Sequence, residues 1–490
     1  MANLDINSSP RTPSELAWPA VRLRTFGEKV LAIAADFLDR LETLPVTTQA
    51  TRDAIRGSLA DPPQQPLSDD ELLMFLSRLF QDSTHTAHPH FLAYITGSGT
   101  APDAYASFIA AVLNQNVGGW ATAPAATEIE LRLMQWLAHI FGLPPATAGG
   151  LIEPGGAISN LTALKVARDF KLGYSCRATG VRCSRPAVIY SSEERHPSID
   201  RAADLLGLGT SALRAIPTDA FYRLRLDLLE DAIRSDIREG ILPLAVVATA
   251  GTTATGSIDP LAEVAHLCSK YSLWLHVDAA YGGGAMLSPR VAHLLGGIER
   301  ADSITFDAHK WFYISLPASC TIFRDFACAG RSFSIDASYT PPETNALDLS
   351  DYGPAWSRGF DALRIWLPLL SFGTEAFTRR IAEDVELAHY LESEILKRQD
   401  LELMAPVALS ICCFRYVPPL KARSPYDLNL LNEGILAEIR RIGSFFCSSA
   451  VLEERFVLRV CIVNYRTERA HLDALLQCVV ETGRRLTVTL

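Results

Sequence analysis

Hydrophobic residues follow two rhythms along the chain, and the change between them marks three regions. In residues 1–98, Ala32, Ile33, Phe37, Leu38 and Leu41 recur at helical spacing, as do Leu72, Leu73, Phe75, Leu76, Leu79 and Phe80. The proline-rich stretch from Asp61 to Pro66 separates them as a loop. These stripes predict an N-terminal helical segment whose apolar face packs on another body, such as a partner subunit. In residues 99–375 short apolar runs alternate with amphipathic stretches. Strands are predicted at Ala187–Ser191, Leu242–Ala248, Leu273–Asp278, Ser303–Asp307 and Ser319–Phe323, and helices at Leu226–Arg238, Pro260–Tyr271 and Pro289–Leu295. Such alternation predicts an α/β fold with a mostly parallel sheet covered on both faces. Residues 376–490 predict a small α/β domain, with helices at Phe377–Lys397, Leu428–Ile442 and Arg469–Leu486 and strands at Leu409–Val417 and Val457–Val463.

Composition narrows the class. A chain of 490 residues, 48% hydrophobic and 20% charged, fits a large core divided between subdomains. A net charge of −10 without a Lys/Arg cluster argues against a nucleic-acid partner. The longest apolar stretch, Ile241 to Ala250, is too short to span a bilayer, so no membrane association is expected. The N-terminal residues lack the basic and apolar blocks of a secretory signal. Ten cysteines without paired spacing point to a reducing cytoplasm. His85, His88 and His90 suggest a metal site, but Pro89 interrupts them and no fourth ligand stands at matching spacing, so no metal is expected.

The chemistry concentrates at strand ends. Asp278 closes one apolar run, in His276-Val277-Asp278-Ala279-Ala280-Tyr281, and Asp307-Ala308-His309-Lys310 closes a later one. Alone, the lysine reads as a solvated charge and the acid as a helix cap. Together, at adjacent strand ends of an open α/β sheet, they converge on one ligand. Pyridoxal phosphate chemistry needs such a pair: a lysine to hold the aldehyde as a Schiff base and an acid to keep the pyridine nitrogen protonated. Glu153-Pro154-Gly155-Gly156-Ala157 adds a Gly-Gly turn before a helical run, suited to a phosphate. His196 follows a short strand and offers an imidazole to a ring face, while Thr249 ends another strand with a hydroxyl to offer.

These residues resemble the pyridoxal-phosphate-dependent group II amino-acid decarboxylases, the family of aromatic-L-amino-acid, histidine and glutamate decarboxylases. The resemblance covers about residues 70 to 480. It rests on His88-Pro89-His90-Phe91, on Ala123 to Glu130 with Trp136, on Gly155-Gly156, on Ser191 to His196, on Thr249 to Thr253, and above all on His276 to Gly282 and Asp302 to Trp311. It implies a fold-type I homodimer, similar to aspartate aminotransferase, with active sites at the subunit interface. It further implies that Lys310 holds the cofactor, Asp278 pairs with the pyridinium nitrogen, His196 stacks on the ring and Ala280 packs against its other face. Gly156 and Ala157 would bind the phosphate with help from Asp307 or a neighbour, and His309 would line the site; the Thr249 hydroxyl, at its strand end, could reach a phenolic oxygen on the ring. A mobile loop at about 329–350 would carry Tyr339, the proton donor to the substrate carbon.

The implied reaction is decarboxylation of an L-amino acid to its amine. The stretches His88 to Gly97 and Asn116 to Trp120 would form the side-chain pocket, with Tyr94, Ile95 and Trp120 as its apolar wall. Neither stretch contains Arg or Lys, which favours aromatic over acidic substrates. Gly97, Gly118 and Gly119, where larger residues are common in the family, imply either a roomier pocket or a shifted loop. Two alternatives stay open: oxidative decarboxylation-deamination to an aldehyde, and another fold-type I reaction such as transamination, for which Arg459 is a conceivable carboxylate ligand.

Overall fold

Contacts divide the chain into two units, Met1–His88 and Pro89–Leu490. The expected boundary near residue 98 therefore falls inside the second unit, and the regions on either side of residue 376 are not separated. The computed structural model describes residues 16–181, 185–335, 346–419 and 424–489.

In the first unit the two predicted apolar stripes become the helices Ala20–Asp39 and Asp69–Asp82. Ser68 and Glu71 close a capping box that fixes where the second helix starts, and Arg22 pairs with Asp69 at 2.6 Å. Neither helix has a fully buried residue, so both stripes stay partly exposed within one chain.

In the second unit the described residues form twelve strands: β1 (Phe91–Leu92), β2 (Gly149–Glu153), β3 (Ala187–Ser192), β4 (Leu213–Ile216), β5 (Leu242–Thr249), β6 (Trp274–Asp278), β7 (Ser303–Asp307), β8 (Ser319–Phe323), β9 (Leu401–Leu403), β10 (Ile411–Tyr416), β11 (Phe446–Leu452) and β12 (Arg455–Cys461). The large sheet has the order β2-β8-β7-β6-β5-β3-β4. Its strands from β7 to β4 run parallel, and β8 is antiparallel to both β7 and β2. β6 and β7 are buried along their whole length, as continuous apolar runs covered on both faces should be. The smaller sheet, β1-β11-β12-β10-β9, builds its own core with the flanking helices.

Helix Leu226–Arg238 forms with the predicted bounds. The helix predicted at Pro289–Leu295 does not. Only the 3-10 segment Ala292–Leu295 stands there, cut off by Gly296 and Gly297, which disfavour a continuing α-helix. The first part of the predicted loop at 329–350 is also different, because Ala327–Phe333 is helical. Tyr339 lies outside the described residues.

One buried acid braces the segment that carries Lys310. Asp384, on helix Thr374–Leu396, accepts from Trp311 Nε1 at 2.9 Å and Tyr313 Oη at 2.7 Å, and it binds Arg380 through a second oxygen at 2.6 Å. Burial pushes its carboxyl up to about 6, against the pull of Arg380. Asp384→Ala removes the buried partner of Arg380, which keeps Glu383 and the Thr467 carbonyl, and the acceptor of Trp311 and Tyr313, and should destabilise the fold by about 3 kcal/mol. A lower urea midpoint at unchanged m-value is the expected result.

Candidate active site

Parallel pairing places the predicted residues together. β5, β6 and β7 align with Thr249 opposite Asp278 and Asp278 opposite Thr305, so three chemically loaded strand ends share one rim. A cavity of about 230 Å³ opens there. Lys310, Asp278, His196 and Thr249 line it, together with Gly156, Ala157, Ala280, Asp307 and His309.

Lys310 sits in the short helix Ala308–Trp311 that follows β7. Its Nζ lies 3.1 Å from Asp307 Oδ2, and the lysine side chain keeps 21% of its surface exposed while the acid is buried. Asp307 thus faces Lys310 through Oδ2, while its carboxylate also lies against Gly156 at the Gly-Gly turn. His309 directs Nδ1 to the Ala318 carbonyl at 2.8 Å, with Nε2 3.6 Å from Asp307. Burial holds both His309 and His196 below the ordinary histidine range, so both are neutral imidazoles near pH 7. At His196 the backbone N–H of Ser198 donates to Nδ1 at 3.1 Å, which leaves the ring proton on Nε2.

The Gly-Gly turn is set by two separate demands. Gly155 has φ +138°, which L side chains rarely adopt. A Cβ at Gly156 would stand 2.8 Å from the Asp307 carboxylate. Gly156 also opens the helix Gly156–Leu172, whose first N–H groups have no intrahelical acceptor. Nearby, Asp259 accepts the backbone N–H of Thr249 at 2.7 Å and of Leu224 at 2.8 Å, fixing the end of β5. Thr249 Oγ1 and Asp307 Oδ1 are buried without a hydrogen-bond partner. An amine, two carboxylates, a neutral imidazole, an unpartnered hydroxyl and a helix start fit an aldehyde-bearing, phosphate-bearing heteroaromatic ring.

The proposed substrate wall is not brought to this cavity within one chain. Tyr94 is 58% exposed, Ile95 is buried and Trp120 donates Nε1 to Glu128 at 2.8 Å, and none of the three lines the cavity. The glycines of these stretches have a packing cause. A Cβ at Gly97 would meet the carbonyls of His309 and Lys310 at 2.6 and 2.7 Å, and one at Gly118 would meet the Trp356 carbonyl at 2.3 Å. They therefore admit backbone rather than a larger substrate ring. His85 and His90 are also committed elsewhere: both ring nitrogens of His85 face carbonyls at 2.8 Å, and His90 Nδ1 meets the Ser444 carbonyl at 2.9 Å.

The sequence reading missed two groups. Asn160 and Ser198 line the cavity, and Asn160 donates to Asp278 Oδ2 at 2.9 Å. Behind the Gly-Gly turn, Arg358 binds Glu130, while Glu153 accepts from Thr162 Oγ1 at 3.0 Å. A buried Asn on a helix would have been the signal for the first, since Asn favours caps and turns over helix interiors.

The family model described as the pyridoxal-dependent decarboxylase conserved domain matches residues 55–417. An aromatic-L-amino-acid decarboxylase of Bacillus atrophaeus is 35% identical over 91% of this chain and 92% of its own length. A phenylacetaldehyde synthase of Arabidopsis thaliana is 28% identical over 95% of this chain and 96% of its own. The Oryza sativa structure designated TDC, solved with PLP and tryptamine, superposes with a TM-score of 0.90 at 27% identity, covering 97% of this chain and 100% of that one. No helix among the described residues is long and apolar enough to cross a membrane.

Burial raises Glu153 to about 7 against the attraction of Arg358. Because the folded carboxyl holds its proton to higher pH than the unfolded one, stability falls as pH rises from about 4.5 through about 7. Glu153→Gln removes this loss. Its stability relative to wild type should improve by on the order of 1 kcal/mol between mildly acidic and mildly alkaline buffer. Denaturant unfolding of both proteins at several pH values checks this, and a pH-independent difference contradicts it.

Proposed function

The chain belongs to the pyridoxal-dependent decarboxylases, with pyridoxal 5'-phosphate as cofactor and carboxy-lyase activity on an amino acid, and on that premise we propose an aromatic L-amino acid as its substrate. The convergence of Lys310, Asp278, His196 and Thr249 on one cavity is the observation that carries the assignment of roles. The aromatic preference draws support from the relatives and from the absence of Arg and Lys in residues 88–97 and 116–120.

Bound cofactor supplies an electron-withdrawing ring that accepts the electron pair left at Cα when carbon dioxide departs. Lys310 is the amine that would hold the cofactor through its aldehyde. Asp278 holds a proton at the ring nitrogen. His196, neutral and with its Nε2 proton directed away from Ser198, would stack on one face of the ring, and Ala280 would pack against the other. Gly156 and Ala157 offer backbone N–H groups to the phosphate, and Thr249 offers its hydroxyl to the ring oxygen. Asp307 balances the charge of Lys310, and His309 fills the wall beside them. Tyr339 is the proposed general acid at Cα.

A homodimer completes the site in this reading. Helix Ala101–Leu113 exposes Tyr105, Phe108, Ile109, Val112 and Leu113 at helical spacing, each at least 43% exposed. A ridge of this kind on a soluble chain calls for a covering surface, and a second copy would also bring Tyr94 and Trp120 toward the neighbouring cavity. A cytoplasmic location agrees with the nine described cysteines all being free.

Carbon dioxide, amine and peroxide followed together across the L-amino acids test the assignment. Equal amounts of carbon dioxide and amine from an aromatic substrate are expected. Aldehyde and peroxide in place of amine would move the chain to oxidative chemistry, and a keto-acid requirement would move it to aminotransfer. In aerated buffer, with dioxygen as the two-electron oxidant reduced to peroxide and ammonia released, Tyr339→Phe should divert product toward aldehyde, and an unchanged amine yield would remove Tyr339 from its role. Phe108→Arg should lower the sedimentation mass to that of one chain and abolish turnover. A fully active dimer would show that this ridge is not the interface.

A further inference from the structure

Four buried hydrogen bonds lead from the sheet interior to Asp278, and chemistry fixes the direction of each. Trp274 Nε1 can only donate, so Ser303 Oγ accepts it at 2.9 Å and keeps its own proton to give. Asn160 Nδ2 commits one proton to Asp278 Oδ2 and the other to Ser198 Oγ, both at 2.9 Å. Its Oδ1 is therefore the atom that meets His276 Nε2 at 2.9 Å. The reverse amide orientation would press a carbonyl oxygen against a carboxylate oxygen. His276 must then carry its proton on Nε2, and its Nδ1, 2.9 Å from Ser303 Oγ, accepts the serine proton. Burial agrees with a single ring proton, because it lowers His276 to about 4.

Every proton in the row Trp274, Ser303, His276, Asn160 points toward Asp278. Hydrogen bonds aligned head to tail polarise one another, so the last donor is the strongest. We propose that Asn160 is a positioning residue for the cofactor reaction: it delivers this aligned chain to Asp278 and fixes the carboxylate orientation in which Oδ1 takes the Ala280 N–H and Oδ2 the Asn160 amide. The inference rests on reading the cavity as the pyridoxal phosphate site. It adds a requirement that neither Lys310 nor Asp278 states, namely that four residues behind the acid set how it meets the ring. Ser198 forms a side branch, since its Oγ receives the second Asn160 proton and stands 2.8 Å from His196 Nδ1.

A double-mutant cycle on the full-length holoenzyme separates this role from simple packing. Release of pyridoxal phosphate would be followed by absorbance in wild type, Asn160→Ala, Ser303→Ala and the double variant. Asn160→Ala should speed release about tenfold, and Ser303→Ala, two bonds further back, about threefold. The double variant should match Asn160→Ala, because the chain is already cut at its last link. Multiplying effects, or single effects under about twofold, overturn the proposal. If Asn160→Ala does not fold, Asn160→Asp takes its place in the same cycle. The ¹⁵N spectrum of histidine-labelled holoenzyme gives a second readout: His276 should hold its proton on Nε2 in wild type and move it to Nδ1 when Asn160 is removed, and an unchanged tautomer counts against the chain. A wild-type protein that never retains pyridoxal phosphate sinks the reading of the cavity itself, whereas multiplying effects in one that does sink only the role of Asn160.

Discussion

Parallel, in-register pairing of β5, β6 and β7 is the constraint on which the chemistry of this molecule depends. Parallel strands finish at the same edge, and the register sets Thr249, Asp278 and Thr305 side by side. The chain then turns directly from Asp307 into the short helix that bears Lys310. A one-residue slip in any of these ladders would turn the strand-end side chain to the opposite face. The acid and the amine meet because backbone hydrogen bonds place them, and the buried apolar strands make that register costly to change.

Around this rim the fold keeps several polar groups buried on fixed partners and leaves Thr249 Oγ1 and Asp307 Oδ1 unpartnered. Asp259 fixes the end of β5, Asp384 braces the Lys310 segment from behind, and Asn160 ties Asp278 to the interior of the sheet. Burial pushes the first two acids up to about 6 and His276 down to about 4. Each such group raises the energy of the fold when it takes up charge without compensation. In return the site residues are held in single orientations, which is what a positioned cofactor requires.

Much of this was legible in the sequence, for physical reasons that differ by element. Helix Leu226–Arg238 has a strong apolar face, and strands such as Ser303–Asp307 are short apolar runs with clear ends, so both declare themselves locally. β2, with the sequence Gly-Gly-Leu-Ile-Glu, and β4, partly exposed with a central arginine, carry too little apolar pattern and exist through their neighbours. The lysine, acid and histidine were readable because their motifs are local. Asn160 was not, since its meaning comes from contacts to Ser198, Asp278 and His276 that are distant in sequence. For Gly97 and Gly118 the sequence left a roomier pocket and a shifted loop both open for the same reason: the backbone they admit, at His309, Lys310 and Trp356, lies far along the chain.

The central claim is that Lys310, held beside Asp307 at the end of β7, is the residue that carries the cofactor. Borohydride reduction of the holoenzyme followed by peptide mass mapping tests it most directly, because reduction makes the attachment permanent. One pyridoxyl group per chain is expected, on the peptide containing Lys310. A pyridoxyl group on another lysine, or none on a protein that has retained its visible absorbance, would contradict it.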